Sequence, residues 1–229
     1  MRRWLQIGVM ALACVATAAA GEIIDRIVAT VNGQPILQSD WDVASRYEAF
    51  MDQHPLRYTP EAARATLERL IDQELLRQQI RGFQLRAVGA EEVRVKMAEI
   101  RKQTPDASTE AGWQACLNRY GLTESELEER VATQLQILRF IDVRLRPTVH
   151  VDRRSIEAYY RDKLLPELKQ KNAREVPLAE VSPQIEDILF QQRMDALLGD
   201  LLHELRQQSR IHVQDAPVSA GVPTGQEAR

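Results

Sequence analysis

Residues 27–40 read IVATVNGQPILQSD. Two runs of strand-forming residues flank Asn32-Gly33, and that dipeptide in that setting is the strongest short-range signal for a β-hairpin. Ser39 follows at once as a helix cap, with Asp42 three residues on to complete a capping box. Nearly everything after this point reads as helix, so the fold turns on what one small hairpin pairs with. A two-stranded hairpin alone is marginal in water. The other convincing strand former lies at the far end of the chain, at Ile211-His212-Val213. The reading predicts that this run joins the hairpin and ties the two ends together, with a long C-terminal helix packed on the N-terminal helices.

The helices between are legible from caps and apolar spacing. The first runs through WDVASRYEAFMDQ and stops before Pro55, because the residue ahead of a proline avoids the α region. Thr59-Pro60 opens the next, a cap followed by proline at the first helical position. Leu67, Leu70, Ile71, Leu75, Leu76 and Ile80 form its apolar stripe. Residues 90–103 place acids first and bases last, as the helix dipole favours, with Val93, Met97 and Ile100 on one face. A short helix around Trp113 to Tyr120 ends at Gly121. Thr123 and Glu126 form a second capping box, opening a helix whose stripe includes Leu127, Val131, Leu135, Leu138 and Leu145, ended by Pro147. Asp152 caps IEAYYRDKLL. Residues 169–181 lack apolar periodicity and are the internal linker; Ser182-Pro183 then starts the strongest helix, with Ile185, Ile188, Leu189, Leu197, Leu198, Leu201, Leu202 and Leu205 as its stripe. The fold class expected is mainly α, a multi-helix core with a small N-terminal hairpin closed by a C-terminal helix and short strand.

Composition bounds the rest. The chain is 44% hydrophobic and 28% charged, so it can bury a core. Its net charge of −3, without a basic block, argues against nucleic acid as a partner. Arg2 and Arg3, the apolar run 4–17 and Ala18-Ala19-Ala20 match a secretory signal over residues 1–20, with cleavage after Ala20. The apolar run is too short for a stable membrane span. Lipidation at Cys14 is the rival reading, disfavoured because Ala11 stands where lipoprotein signals carry a large aliphatic residue. Cleavage leaves Cys116 as the sole cysteine, so no intramolecular disulfide is expected and the fold must be held by packing. The expected core spans 21–214. The tail 215–229, rich in Ala, Pro and Gly with few core-forming residues, is expected to be disordered.

Catalytic constellations are poor. His54, His150, His203 and His212 show no metal-ligand spacing. Neither a nucleophile elbow nor a phosphate-cradling loop is present, and the pairs Glu91-Glu92 and Glu128-Glu129 sit among bases on solvated helix faces. No catalytic residue, metal or cofactor is assigned. What remains is apolar surface. Tyr47, Phe50, Met51, Met97, Ile100 and Trp113 are the candidate peptide-binding residues. Methionine re-packs cheaply against varied partners, although residues at helical spacing are more often plain core.

Taken in order, IIDRIVATVNGQPILQSDWD, ATLERLIDQELLRQQ, EEVRVKMAEIRKQ, YGLTESELEERVATQLQILRFID, VHVDRRSIEAYYRD and QIEDILFQQRMDALLGDLLHELRQQSRIHV resemble the SurA-type periplasmic chaperones, their N-terminal domain above all, and the related PpiD and PrsA-like foldases. The likeness covers residues 23–213. It implies a helical module closed by its C-terminal helix and strand. It implies ATP-independent binding of unfolded polypeptides, outer-membrane protein precursors or secreted chains, in the periplasm. Family members carry parvulin domains between the YY helix and the last helix. The interval here, 165–182, is too short for one, so prolyl isomerase activity is not carried over. Two other readings stay open: an envelope adaptor that binds one folded partner, and an isomerase relative that keeps folding assistance only. Exchange of the last helix and strand across the linker would give a homodimer.

Overall fold

Asn32 and Gly33 both take positive φ, +53° and +83°. That pairing is the type I′ turn, whose twist matches that of the strands it joins. It turns β1 (Ile27–Val31) back onto β2 (Gln34–Leu37) in antiparallel register, Val31 opposite Gln34 and Thr30 opposite Pro35. β3 (Ile211–Val213) pairs antiparallel with the other edge of β1, Val31 opposite Ile211 and Ala29 opposite Val213. The sheet order is β2-β1-β3. Pro35 lies on an edge strand, where a missing N–H costs no ladder bond. The computed structural model describes residues 25–56 and 59–214. The expected signal segment with its expected cleavage after Ala20, the expected alternative at Cys14 and the tail 215–229 lie outside the described residues.

Asn32 is a clasp as well as a turn. Its main-chain N–H donates to the Arg210 carbonyl, and its Oδ1 accepts from the Arg210 N–H, both at 2.8 Å. Its Nδ2 donates to Gln78 Oε1 at 2.8 Å and to Ser209 Oγ at 3.0 Å. Gln78 in turn donates to the Val31 carbonyl at 3.0 Å. One side chain thus joins the hairpin, the second helix and the chain's last strand.

α1 (Gln38–Met51) begins at Gln38, so the expected Ser39 cap is corrected. β2 runs directly into the helix with no loop, and Asp40 Oδ2 accepts from the Leu37 N–H at 3.0 Å. Ser39, already helical, bonds Asp25 instead. α2 (Pro60–Arg81) starts as expected, Thr59 accepting from the Ala62 N–H. α3 (Ala90–Gln103) and α4 (Glu110–Tyr120) follow, α4 ending at Gly121 with φ +66°. α5 (Glu124–Arg144) carries the Thr123–Glu126 capping box. A 3₁₀ turn (Arg146–Thr148) leads to α6 (Arg153–Tyr159), capped by Asp152, then a π-helical stretch (Tyr160–Leu164) and α7 (Leu165–Gln170). α8 (Leu178–Gln208) starts a turn ahead of Pro183, which lies inside the helix. The non-helical link is therefore 171–177, shorter than the expected 169–181. The chain passes from α7 to α8 with no room there for an inserted domain.

Two buried clusters organise these elements. The first gathers Val28 and Val31 of β1, Trp41 of α1, the α2 stripe, Phe140 of α5 and Leu205 of α8. It is closed from the C-terminal side by Leu198, Leu201, Leu202 and Ile211. Arg206 secures that closure, with Nη1 2.6 Å from Glu68 and Nε 2.7 Å from Asp72 on α2. The second cluster is local in sequence: Phe50, Met97, Ile100, Trp113, Leu117, Leu127 and their neighbours on α1, α3, α4 and α5. Its centre is aromatic, with Phe50 edge-on to Trp113 at 6.0 Å and to Tyr120 at 5.7 Å between centroids. Cys116 is buried here as a free thiol. A small third cluster of Leu145, Val149 and Met194 joins the middle of α8 to the segment just past α5.

Candidate functional site

α1, α2 and α5 diverge from one another and leave clefts that share walls. The central cleft, about 530 Å³, is lined by Tyr47, Met51, Arg130, Gln134, Ile137 and Leu138, among others. A second, about 360 Å³, shares Gln73, Arg130 and Thr133 with it and opens towards Pro35, Glu126 and Glu129. A third, about 370 Å³, shares Thr133 and Ile137 and is walled by Ile80, Ala87 and Val88. Together they form one groove along α5.

Helical periodicity builds this groove. On α5, Arg130, Thr133, Gln134, Ile137 and Leu138 recur at intervals of three and four, so they share a face. On α1, Ala44, Tyr47, Glu48 and Met51 do the same. The adjoining face of α5, at Leu127, Val131 and Leu135, enters the second core.

The walls are apolar and open. Met51 is 41% exposed and Leu138 49%, two of the few large hydrophobic side chains so exposed among the described residues. Tyr47, half-buried, donates its hydroxyl to Gln134 Oε1 at 2.6 Å. Burial raises its pKa, against the opposing effect of Arg130, so the phenol stays a neutral donor. One lip is held by Glu48, which accepts from Thr66 Oγ1 and from Arg69 Nε, both at 2.7 Å. On the floor, Arg130 donates to the Asp40 main-chain carbonyl at 2.6 Å and to Gln73 Oε1 at 3.4 Å. Such a lining suits a chain segment: apolar walls take side chains, while the amides of Gln73 and Gln134 can pair with main-chain N–H and C=O groups. No group of three or more metal-ligating side chains occurs among the described residues.

Of the six residues singled out from sequence, the groove brings together Tyr47 and Met51. Phe50, Met97, Ile100 and Trp113 are 3%, 7%, 5% and 1% exposed and pack in the second core, so a ligand cannot reach them in this state. The reason is reciprocal cover, since α3 and α4 fold over the end of α1 and each supplies the other's partner. Leu138, expected in the core stripe, faces the groove instead. Arg130 and Gln134 on α5 and Gln73 on α2 went unremarked in the sequence, although the four-residue spacing of Arg130, Gln134 and Leu138 carried the signal on α5.

The profile of the SurA-like N-terminal domain matches residues 2–141. The chain belongs to that family. The match spans the hairpin, both walls of the groove and α5 as far as Ile141, and no parvulin domain accompanies it. No curated protein matches the chain. The SurA N-terminal domain is a non-catalytic chaperone-type domain, and membership suggests a chaperone-like periplasmic function and the binding of polypeptides. No helix among the described residues is long and apolar enough to cross a membrane.

Proposed function

We propose that the protein is an ATP-independent periplasmic holdase that binds extended segments of unfolded polypeptides, outer-membrane precursors among them, in the groove between α1, α2 and α5. The observation that carries this reading is the open groove itself, with Met51 and Leu138 left uncovered on opposite walls above a floor of amides and one guanidinium. A folded monomer rarely leaves facing apolar walls bare without a use for them. The groove holds side chains that grip without reacting, and Met51 can adapt to varied clients.

The test uses residues 21–229 and a urea-denatured outer-membrane protein diluted into buffer without nucleotide. The expected result is suppression of aggregation near one-to-one stoichiometry, with photo-crosslinks to client from probes at Met51 and Leu138. No suppression across a concentration series overturns the reading. A single folded partner captured at fixed stoichiometry, with no affinity for unfolded chains, assigns the protein to an adaptor role instead.

A further inference from the structure

We propose that the guanidinium of Arg130 captures the C-terminal carboxylate of the chain bound in the groove. This rests on the groove being the client site and names what one part of it recognises.

Arg130 stands apart from four of the other half-buried arginines, which pair with carboxylates; the fifth, Arg193 on α8, donates to the Ser155 hydroxyl at 3.0 Å and does not line the groove. Arg101 reaches Glu110 at 3.0 Å, Arg206 reaches Glu68 at 2.6 Å, Arg46 lies 3.5 Å from Glu126, and Arg139 pairs with Glu92. Among the described residues Arg130 hydrogen-bonds only neutral oxygens, the Asp40 carbonyl and the Gln73 amide. Two acceptors leave much of its five-donor fork unfilled. Burial depresses its pKa, offset only in part by the carboxylates of Asp40 and Glu48, so the cation is partly desolvated without a directly bonded counter-charge. An incoming carboxylate supplies that partner, with the planar geometry a guanidinium matches in two parallel hydrogen bonds.

Position selects a chain end. Arg130 lies where the central and second clefts meet. On its central side the walls are Tyr47, Met51, Ile137 and Leu138, suited to the last side chains of a client. On its other side the cleft carries Asp40, Glu74, Glu126 and Glu129 against one further base, Arg77, which is already paired with Glu74 at 3.2 Å. A chain that ends at Arg130 keeps its carboxylate on the cation and out of that acidic cleft. An acidic residue in mid-chain would have to send the following residues onward past Arg130.

The experiment measures Kd by fluorescence anisotropy for a short, N-terminally labelled apolar peptide without acidic side chains, ending either in a free carboxylate or in a carboxamide. The full mature chain should bind the free acid roughly tenfold more tightly, the scale of one charge-assisted pair in a partly dry site. Arg130→Gln should bring the two affinities together, whereas Leu138→Ala should weaken both forms equally. If Arg130→Gln loses its thermal transition, Arg130→Lys replaces it; lysine keeps the charge but not the fork, so the preference should shrink. Equal affinity of native protein for both forms, with both still weakened by Leu138→Ala, overturns the Arg130 assignment and leaves the groove standing. An amidated peptide with one internal aspartate that binds as tightly as the free acid, in an Arg130-dependent way, overturns the chain-end assignment. Binding indifferent to Leu138→Ala overturns the groove, and the carboxylate site with it.

Discussion

Replacing Asn32 by Asp tests whether the hairpin clasp holds the two ends of the chain together. Aspartate tolerates the left-handed conformation that Asn32 adopts, so the turn is kept. Its Oδ1 still accepts from the Arg210 N–H. What changes is Nδ2, a donor that becomes an acceptor facing Gln78 Oε1 at 2.8 Å and Ser209 Oγ at 3.0 Å. The serine hydroxyl can turn and donate. Gln78 cannot flip freely, because its Nε2 already serves the Val31 carbonyl and Glu74 Oε1. The cost is therefore one lost hydrogen bond plus an oxygen–oxygen opposition. With Asn32 exposed and water able to compete, that amounts to about 1–2 kcal/mol. For a chain of this size the melting temperature should fall by about 2–8 °C. Calorimetry measures the shift, and amide hydrogen exchange locates it, with faster exchange at Asn32 and Gln214, whose N–H groups bond Arg210 and Val28 across the β1–β3 pair. A melting temperature within about 1 °C of the unsubstituted protein, with exchange at those amides unchanged, would refute the clasp, because the loss of even one weak hydrogen bond should shift it further.

Trp113→Ala removes a side chain 1% exposed at the centre of the second core and should cost about 3–5 kcal/mol in urea denaturation; a variant of native stability that merely lost client would show Trp113 to be a groove residue. Leu138→Ala should cost less than about 1 kcal/mol in stability while weakening peptide binding about fivefold, the worth of covering half a leucine. Arg206→Ala should lose about 1 kcal/mol, since its pairs with Glu68 and Asp72 are partly screened by solvent, and should speed exchange in the last turns of α8. Glu126 feels burial, which raises its pKa, but the Thr123 N–H, the Thr123 hydroxyl and Arg46 outweigh it and hold the pKa below the usual range. A depressed folded-state pKa contributes stability that is present above the unfolded value, about 4.3, and is lost as pH falls through the folded value. Glu126→Gln should therefore flatten the acid limb of a stability-against-pH curve below about pH 5; an unaltered limb would count against the capping box as the cause.

The closure of the two chain ends was legible because each signal is local and chemically specific. Asn-Gly demands positive φ at two successive residues, and a lone β-prone run at the far terminus had one place to go. The caps at Thr59, Thr123 and Asp152 were legible for the same reason, as short-range bonds between a side chain and an amide three residues on. Leu138 was not. Helical spacing tells which residues share a face, and Leu135 and Leu138 both fit the apolar stripe; only the paths of α1 and α2 decide which of the two is covered. Phe50 and Trp113 show the reverse. Their size and helical setting suit a groove as well as a core, and the choice rests on α1, α3, α4 and α5 closing together around them. The start of α8 at Leu178 was hidden because proline is commonest at a helix's first position. Here a further turn precedes Pro183, and the helix forgoes one backbone bond, to the Ala179 carbonyl.

The Arg210–Asn32 contact spans 178 positions and is made by almost the last residues of the described chain. A polypeptide that emerges N-terminus first can assemble its second core early, from partners between Phe50 and Val131. The first core has to wait for Leu205, and β1 for its partner at Ile211–Val213. Until then β1 offers a bare edge, the feature by which strands recruit other strands. Completion of the chain thus acts as a checkpoint. A copy cut short before Leu198 exposes an unpaired strand edge and an uncovered leucine face, and so displays the kind of surface that the groove of a finished copy is proposed to hold.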